Sequence, residues 1–528
     1  MILPLAALSS IDWVIVGTYL VAILLVGLFA SGRQTSTRDY FLGDRQIPWW
    51  AVTLSIVATE TSAVTYIGLP GRAYNGNWDV LQLVIGFVLG RIFLATFFVR
   101  AFYDGGVITV YSYLERRFGN PTRVAAALIF LAGRMLASGA RLFAACLAVS
   151  IASGMRIEIA MLILGAFGIG YTLVGGIRSV VWTDCILGLT FIIGGAVSVG
   201  FLLETIDGGL DTLLQHQDFT EKFHIFSLGL ATAEPSSWSA FIASTEPLAI
   251  GVIGGFFLTL ATHGTDQDLV QRMLTCSDSR SGAKSLIGSA VIVPPLYVLF
   301  LTIGSLLYFA HTFNPELKPS GVETADRYFP DFIVSHLPPG VAGFLFAGVF
   351  AAALSSLTSV LNALASTIIA DFYRPLIRKD ASEAHYLRAS RVATGIAGIA
   401  LVAVAYLFTG GTTGVFDLSM KALTYFYGAL LGVFLLAIFT RRGSPLSTVV
   451  GMGTAVPVTM LLQLRAYLED PSRAPDVIRR WVESIPTAWS DMIRSTVPLL
   501  AWPLWIVVGA VCACAIGALG KQTIQRQA

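Results

Sequence analysis

Apolar residues run through this chain in long unbroken blocks, without the alternation of a half-buried strand or the periodicity of a helix covering a soluble core. Charge-poor stretches recur near 12–31, 49–70, 78–99, 124–152, 158–175, 181–203, 246–264, 285–310, 340–370, 392–409, 418–440, 446–463 and 497–519. A helix needs roughly 20 such residues to cross a bilayer. The pattern therefore predicts an all-α polytopic membrane protein with about thirteen transmembrane helices. The first block follows Ser9, Ser10 and Asp12 with no basic flank and no small-residue cleavage site, and is read as a retained span.

Between the blocks, the longest segments are 204–245, 311–339 and 464–496, too short and too mixed to be catalytic modules. Within the last, Asp476 to Ile485 is amphipathic and is expected to rest on the membrane surface. Two blocks are interrupted at mid-depth by small polar residues, at Ala58 to Ser62 and, five spans later, at Ala261 to Asp266. Unwound backbone inside a membrane is tolerated where it lines a cavity, and a matched pair of breaks marks the binding site of an inverted-repeat transporter. The expected organisation is an extra helix and loop (1–40), a first five-helix repeat (41–205), a loop and second repeat (206–440) and two further helices (441–528).

Charge sharpens this picture. Only 12% of the 528 residues are charged against 55% hydrophobic, and the net charge is +2 with no basic patch, so nucleic-acid binding has no support. With the N-terminus outside, the inner segments collect twenty Lys and Arg and the outer segments ten, which favours an N-out, C-in arrangement in a cell inner (plasma) membrane. The five cysteines fall in spans or inner loops, where neither a disulfide framework nor a zinc site is expected.

In the ninth block, Ala351 to Asn362, the residues Ala352, Ser355, Ser356, Thr358, Ser359 and Asn362 share roughly half the helix circumference, and Leu354, Leu357 and Leu361 take the other side. Hydroxyls and freed carbonyls are suitable ligands for sodium, a hard cation. Small hydroxylated residues also let membrane helices pack closely, so both readings stand on the stripe alone.

Four stretches resemble the sodium/solute symporter family, which includes sodium/glucose, monocarboxylate, multivitamin and bacterial sialic acid transporters. They are Asp39 to Gly43 with Pro48 to Trp50, Gly175 to Asp184, Thr265 to Arg272, and the ninth block itself. The resemblance covers about residues 12–440 and implies a LeuT-type 5+5 core and sodium as coupling ion; enzymatic chemistry is not expected, because no one region gathers a nucleophile, a base and a metal set. It also implies a sodium site at Ala58, Thr61, Ala352, Ser355 and Ser356, and in some members a second at Asp184, Ser355, Thr358 and Ser359. Asp184 has an alternative as an ordinary residue at the inner end of its helix.

For the solute the same resemblance points to Glu60, Thr65, Gln82, Arg134, Thr262, His263 and Lys421. Arg134 lies in an apolar run and matches the position that holds the substrate carboxylate in the sialic acid transporters. An intramembrane arginine demands an anion, from the solute or from the protein. Glu60 is expected to bind a cationic group, pair with Arg134 or Lys421, or take up a proton, and Arg91 to anchor the inner end of its span. This set favours a carboxylate-bearing solute of sialic acid, monocarboxylate or amino acid type over a sugar, with no obligate protein partner evident. A membrane sensor without transport is the alternative from another class. The chain ends nine residues beyond the last block, which leaves it no signalling module.

Overall fold

The computed structural model describes residues 8–32, 36–62, 64–104, 109–229, 238–319, 324–409 and 415–521. Arg33 and Arg526, two of the basic residues in the inner segments, lie outside them. All regular elements among the described residues are helices, apart from one isolated bridge between Ser227 and Pro247. Fourteen helices carry the argument: α1 (Ser10–Ser31), α2 (Trp49–Glu60), α3 (Leu69–Asn75), α4 (Leu81–Phe97), α5 (Asn120–Ser153), α6 (Ile157–Glu204), α7 (Leu248–Thr265), α8 (Gln267–Met273), α9 (Ser279–Phe313), α10 (Val341–Thr367), α11 (Glu383–Tyr406), α12 (Val415–Phe439), α13 (Pro445–Glu469) and α14 (Trp502–Ala518). Among the described residues nine helices are long and apolar enough to cross a membrane, α2 with α3 forms a bent tenth, and three shorter apolar helices accompany them.

Backbone breaks place the site. The α2–α3 span bends by 55° beyond Glu60. The seventh block stays helical through Thr265 and turns only at Asp266, which is extended (φ −84°, ψ 121°) and caps α8 by accepting from the Asp268 N–H. In α6 two predicted spans join at Gly176 (φ 65°, ψ −177°), a conformation that glycine adopts without a Cβ clash.

The ninth block forms α10, the most enclosed of the spanning helices, which packs against α5, α6 and α2. Close contact between α4 and α7 depends on glycines. A Cβ on Gly86 would lie 2.3 Å from the Val252 carbonyl oxygen, and one on Gly255 would lie 2.1 Å from the Leu83 carbonyl oxygen. At such contacts dispersion replaces the hydrophobic effect as the force holding helices together in lipid. The amphipathic stretch forms a helix at Asp476–Glu483, and its Val482 packs with Tyr467 and Leu468 of α13.

Candidate functional site

At the break of α2 the hydrogen-bond ladder is diverted. The Ser62 N–H donates to the Glu60 carbonyl (3.0 Å) instead of continuing to Ala58, and the Thr65 N–H donates to Ser62 (2.9 Å) instead of Thr61. Among the described residues, the carbonyls of Ala58 and Thr61 thus lose their usual helical donors where oxygen ligands are expected. The Thr61 Oγ1 and Ser356 Oγ are buried and make no hydrogen bond among the described residues. Released carbonyls and unsatisfied hydroxyls are costly in a membrane interior unless an ion uses them, so this donor set fits sodium. Ala352 is buried on α10, one turn before Ser355 and Ser356.

Asp184 is not an exposed helix end. It is fully buried and accepts from Ser55 Oγ (2.5 Å), from Ser355 Oγ and from Arg272 Nη2 (3.3 Å). The other two members of the second set are engaged elsewhere. Ser359 donates to Asp268 and accepts from Arg272 Nη2 (2.7 Å), while Thr358 donates to its own helix at the Ser355 carbonyl (3.1 Å). Asp184 and Ser355 therefore meet, and Arg272 bridges from Asp184 to Ser359.

Arg272 belongs to a larger buried network. Its Nη1 reaches Asp268 Oδ1 at 2.5 Å, Asp268 also pairs with Arg134 Nη2, Arg134 Nη1 pairs with Asp266 (2.8 Å), and Tyr427 of α12 donates to Asp266 (2.6 Å). The expected pairing of Arg134 with Glu60 is corrected here. Its anions are Asp266 and Asp268, delivered by the break between α7 and α8. This chain of ion pairs runs without a gap from Tyr427 to Ser355, joining the candidate solute arginine to the candidate ion-binding aspartate.

Glu60 is likewise paired differently from expectation, with neither Arg134 nor Lys421 but with Arg91. Arg91 is fully buried, so its expected role as an anchor at the end of its span is also corrected. The glycine-mediated contact of α4 with α7 carries it inward, where Nη1 donates to the Ser289 carbonyl (3.1 Å) and Nη2 lies 3.5 Å from His263 Nε2. His263 Nδ1 lies 3.0 Å from Thr262 Oγ1, and Nε2 lies 3.8 Å from Glu60.

Glu60, Arg134, Thr262 and His263 come together around one cavity of about 40 Å³, joined by Thr59, Phe87, Arg141, Tyr297 and Met420 among others. A buried water needs roughly 10–15 Å³ by this measure, so the cavity is contracted well below the size of an organic solute. Three expected solute residues are not among its lining. Thr65 donates to the Glu60 carbonyl (3.2 Å) and ties the break together. Gln82 bridges the Glu246 carbonyl (2.8 Å) and the Ser227 N–H (3.3 Å), fastening a connecting segment onto α4. Lys421 lies within electrostatic reach of Asp417 and Arg72.

A second, larger cavity of about 390 Å³ lies at the α3 end of the bundle, lined by Arg72, Asp79, Glu246, Asp326, Phe416 and Asp417. Arg72 pairs there with Asp417 (2.8 Å) and Asp79 (3.1 Å). Phe416 of this chamber makes edge contact with Tyr297 of the inner cavity (centroids 6.4 Å apart), and Tyr297 makes another with Phe87 (6.3 Å). A row of three rings thus runs from the lining of one space to that of the other. At the opposite end Arg123 pairs with Asp371 (2.7 Å) and Glu115 (2.5 Å), tying the start of α5 to the segment after α10.

Comparison with known proteins adds to this geometry. A family model described as the sodium:solute symporter family matches residues 40–452. The chain is 31% identical over 459 residues to the sodium/sialic acid symporter NanT of Aliivibrio fischeri, covering 86% of this chain and 87% of that protein. It is 30% identical to the sodium/sialic acid symporter SiaT of Proteus mirabilis, covering 84% and 87%. A solved structure of a Na+-coupled sialic acid symporter in a substrate-bound outward-open state superposes with a TM-score of 0.80 at 25% identity, covering 97% of each chain. Mhp1, a nucleobase-cation-symport-1 family transporter, shares the fold (TM-score 0.55, 13% identity, 90% and 92% covered).

Proposed function

Because the chain belongs to the sodium:solute symporter family, a family of secondary transporters with sodium as coupling ion, we propose that it imports a small carboxylate-bearing solute, sialic acid foremost. It does so as a multi-pass protein of the inner membrane, N-terminus outside and C-terminus inside. In this reading Ala58, Thr61, Ala352, Ser355 and Ser356 hold one sodium ion, and Asp184, Ser355, Thr358 and Ser359 hold a second. The observation that carries it is the diverted ladder at Ala58 and Thr61 together with the unsatisfied Ser356 hydroxyl.

The mechanism follows from where the breaks lie. Sodium at the α2 break ligates groups on both α2 and α10, so it stabilises the arrangement in which those helices are apposed. The 390 Å³ chamber is the outer entrance, closed from the inner cavity by Phe87, Tyr297 and Phe416 and steadied by the Arg72 pairs. Solute enters when those rings part, widening the cavity beside Glu60, Thr262 and His263. Rocking of the two repeats, 41–205 and 206–440, then exchanges the outer contacts at Arg72 for opening at Arg123 and Asp371. No covalent step is needed.

Supporting this assignment requires that solute and ion bind cooperatively, since each must favour the same state. The test is a thermal-shift screen of N-acetylneuraminate, lactate, alanine and glucose, each in sodium and in potassium. N-acetylneuraminate is expected to raise the transition temperature only in sodium. Stabilisation by glucose instead, or by any solute equally in both salts, contradicts the proposal.

A further inference from the structure

The cavity beside the α2 break is lined by three charged side chains besides His263: Glu60, Arg134 and Arg141. Two are already neutralised within the protein. Glu60 is paired with Arg91, and both terminal nitrogens of Arg134 are taken, one by Asp266 and one by Asp268. A solute carboxylate approaching Arg134 would meet those two carboxylates first, and like charges in a medium of low dielectric repel strongly.

Arg141 stands seven residues after Arg134 on α5, so the two side chains leave the same face of the helix about 10 Å apart along its axis. No carboxylate lies within ion-pair distance of Arg141 among the described residues. Its side chain donates from Nη1 to the Thr59 carbonyl at 3.4 Å, a long bond. It also lines a gap of about 10 Å³ with Ser138 and Ser356, whose hydroxyls have no partner. An intramembrane guanidinium held by one weak carbonyl contact is under strong drive to find an anion.

We infer that Arg141, rather than Arg134, receives the anionic group of the solute. The inference rests on the carboxylate reading above and names the residue that enforces it. Thr59 sits between Ala58 and Glu60, so Arg141 places a positive charge against the break whose carbonyls are assigned to sodium. A bound carboxylate draws the guanidinium off the Thr59 carbonyl and screens its charge. Sodium and solute then favour each other through Arg141, while Arg134 keeps α5, α8 and α12 together.

The experiment compares binding of N-acetylneuraminate and of its carboxyl methyl ester to the purified full chain in sodium, by calorimetry, with the sodium-induced thermal shift recorded alongside. Wild type is expected to prefer the acid. Arg141→Gln is expected to lose at least thirtyfold in affinity for the acid and to bind acid and ester alike, while keeping the sodium-induced shift. Arg141→Lys keeps the charge on a shorter, non-bidentate head and guards against a variant that does not fold. It should bind the acid at least fivefold more weakly with the sodium shift retained. Acid affinity within threefold of wild type in either variant overturns the role of Arg141 and leaves the carboxylate reading standing. A wild type that responds to sodium but binds acid and ester equally overturns both.

Discussion

Replacing Arg272 with Gln should make the protein less stable without sodium and more responsive to it. The Arg272 side chain makes a 2.7 Å bond to Ser359 and an ion pair of 3.3 Å to Asp184, besides its contacts to Asp268. Bonds to charged groups contribute about 1.5–3 kcal/mol each, and removing one partner of a buried pair costs about 3–5 kcal/mol. Asp268 retains Arg134, so the uncompensated charge falls on Asp184, which keeps only the hydroxyls of Ser55 and Ser355. In the proposed assignment, sodium at the second set would supply the missing charge and would no longer compete with a guanidinium for Ser359. Losing one such competing bond should tighten sodium at least tenfold. Binding stabilises by RT ln(1 + [Na+]/Kd), which at 100 mM sodium rises from about 1.4 kcal/mol for a Kd of about 10 mM to about 2.7 kcal/mol for one tenfold tighter. The assay is the difference in transition temperature between sodium and potassium, measured for wild type and Arg272→Gln. A sodium-induced shift in the variant equal to or smaller than that of wild type refutes the competition between Arg272 and the ion.

Other parts of the account can be tested as directly. Ser356→Ala removes a hydroxyl that makes no hydrogen bond in the structure, so stability in potassium should change by less than about 0.5 kcal/mol while most of the sodium-induced shift disappears. Glu60→Gln leaves Arg91 buried without an anion and should destabilise by about 3–5 kcal/mol; Glu60→Gln with Arg91→Met should recover much of the loss, as denaturation of the two variants will register. Gly86→Ala would press a methyl group against the Val252 carbonyl and Phe256 nitrogen of α7, and should lower the yield of folded monomer on size-exclusion chromatography and cost about 1–3 kcal/mol or more. Asp417→Asn weakens a partly exposed pair worth about 1 kcal/mol or less, so the fold should persist while a thiol reagent reaches a cysteine placed at Met420 of the inner cavity faster than in the parent.

What the sequence discloses depends on the range of the interaction. The serine face of α10 and the break at Ala58 to Ser62 are local patterns, visible because hydroxyls and a glutamate interrupt apolar runs, and the structure brings both into the interior of one bundle. Pairing is another matter. Arg134 and its carboxylates are separated by more than 130 residues along the chain, and nothing in the run from Leu128 to Leu136 indicates who stands opposite. The signal was nevertheless present in Asp266, Asp268 and Arg272, three charged residues beside a break, which serve in the sequence only as marks of family resemblance. Hydropathy sets depth loosely and leaves Arg91 at the end of its span; the close approach at Gly86 and Gly255 that carries it inward is a property of two helices together. Position along the chain groups Gln82 and Lys421 with the solute, and only tertiary contacts separate them from the cavity.

The central claim is that sodium, held where α2 breaks against α10, drives solute across the membrane. Its most direct test is uptake of labelled N-acetylneuraminate into proteoliposomes carrying wild type or Ser356→Ala, with an inward gradient of sodium or of potassium and an inside-negative potential. Wild type should accumulate the solute in sodium alone, and Ser356→Ala should lose that accumulation. Full accumulation with potassium in place of sodium, or undiminished sodium-driven accumulation by Ser356→Ala, would contradict it.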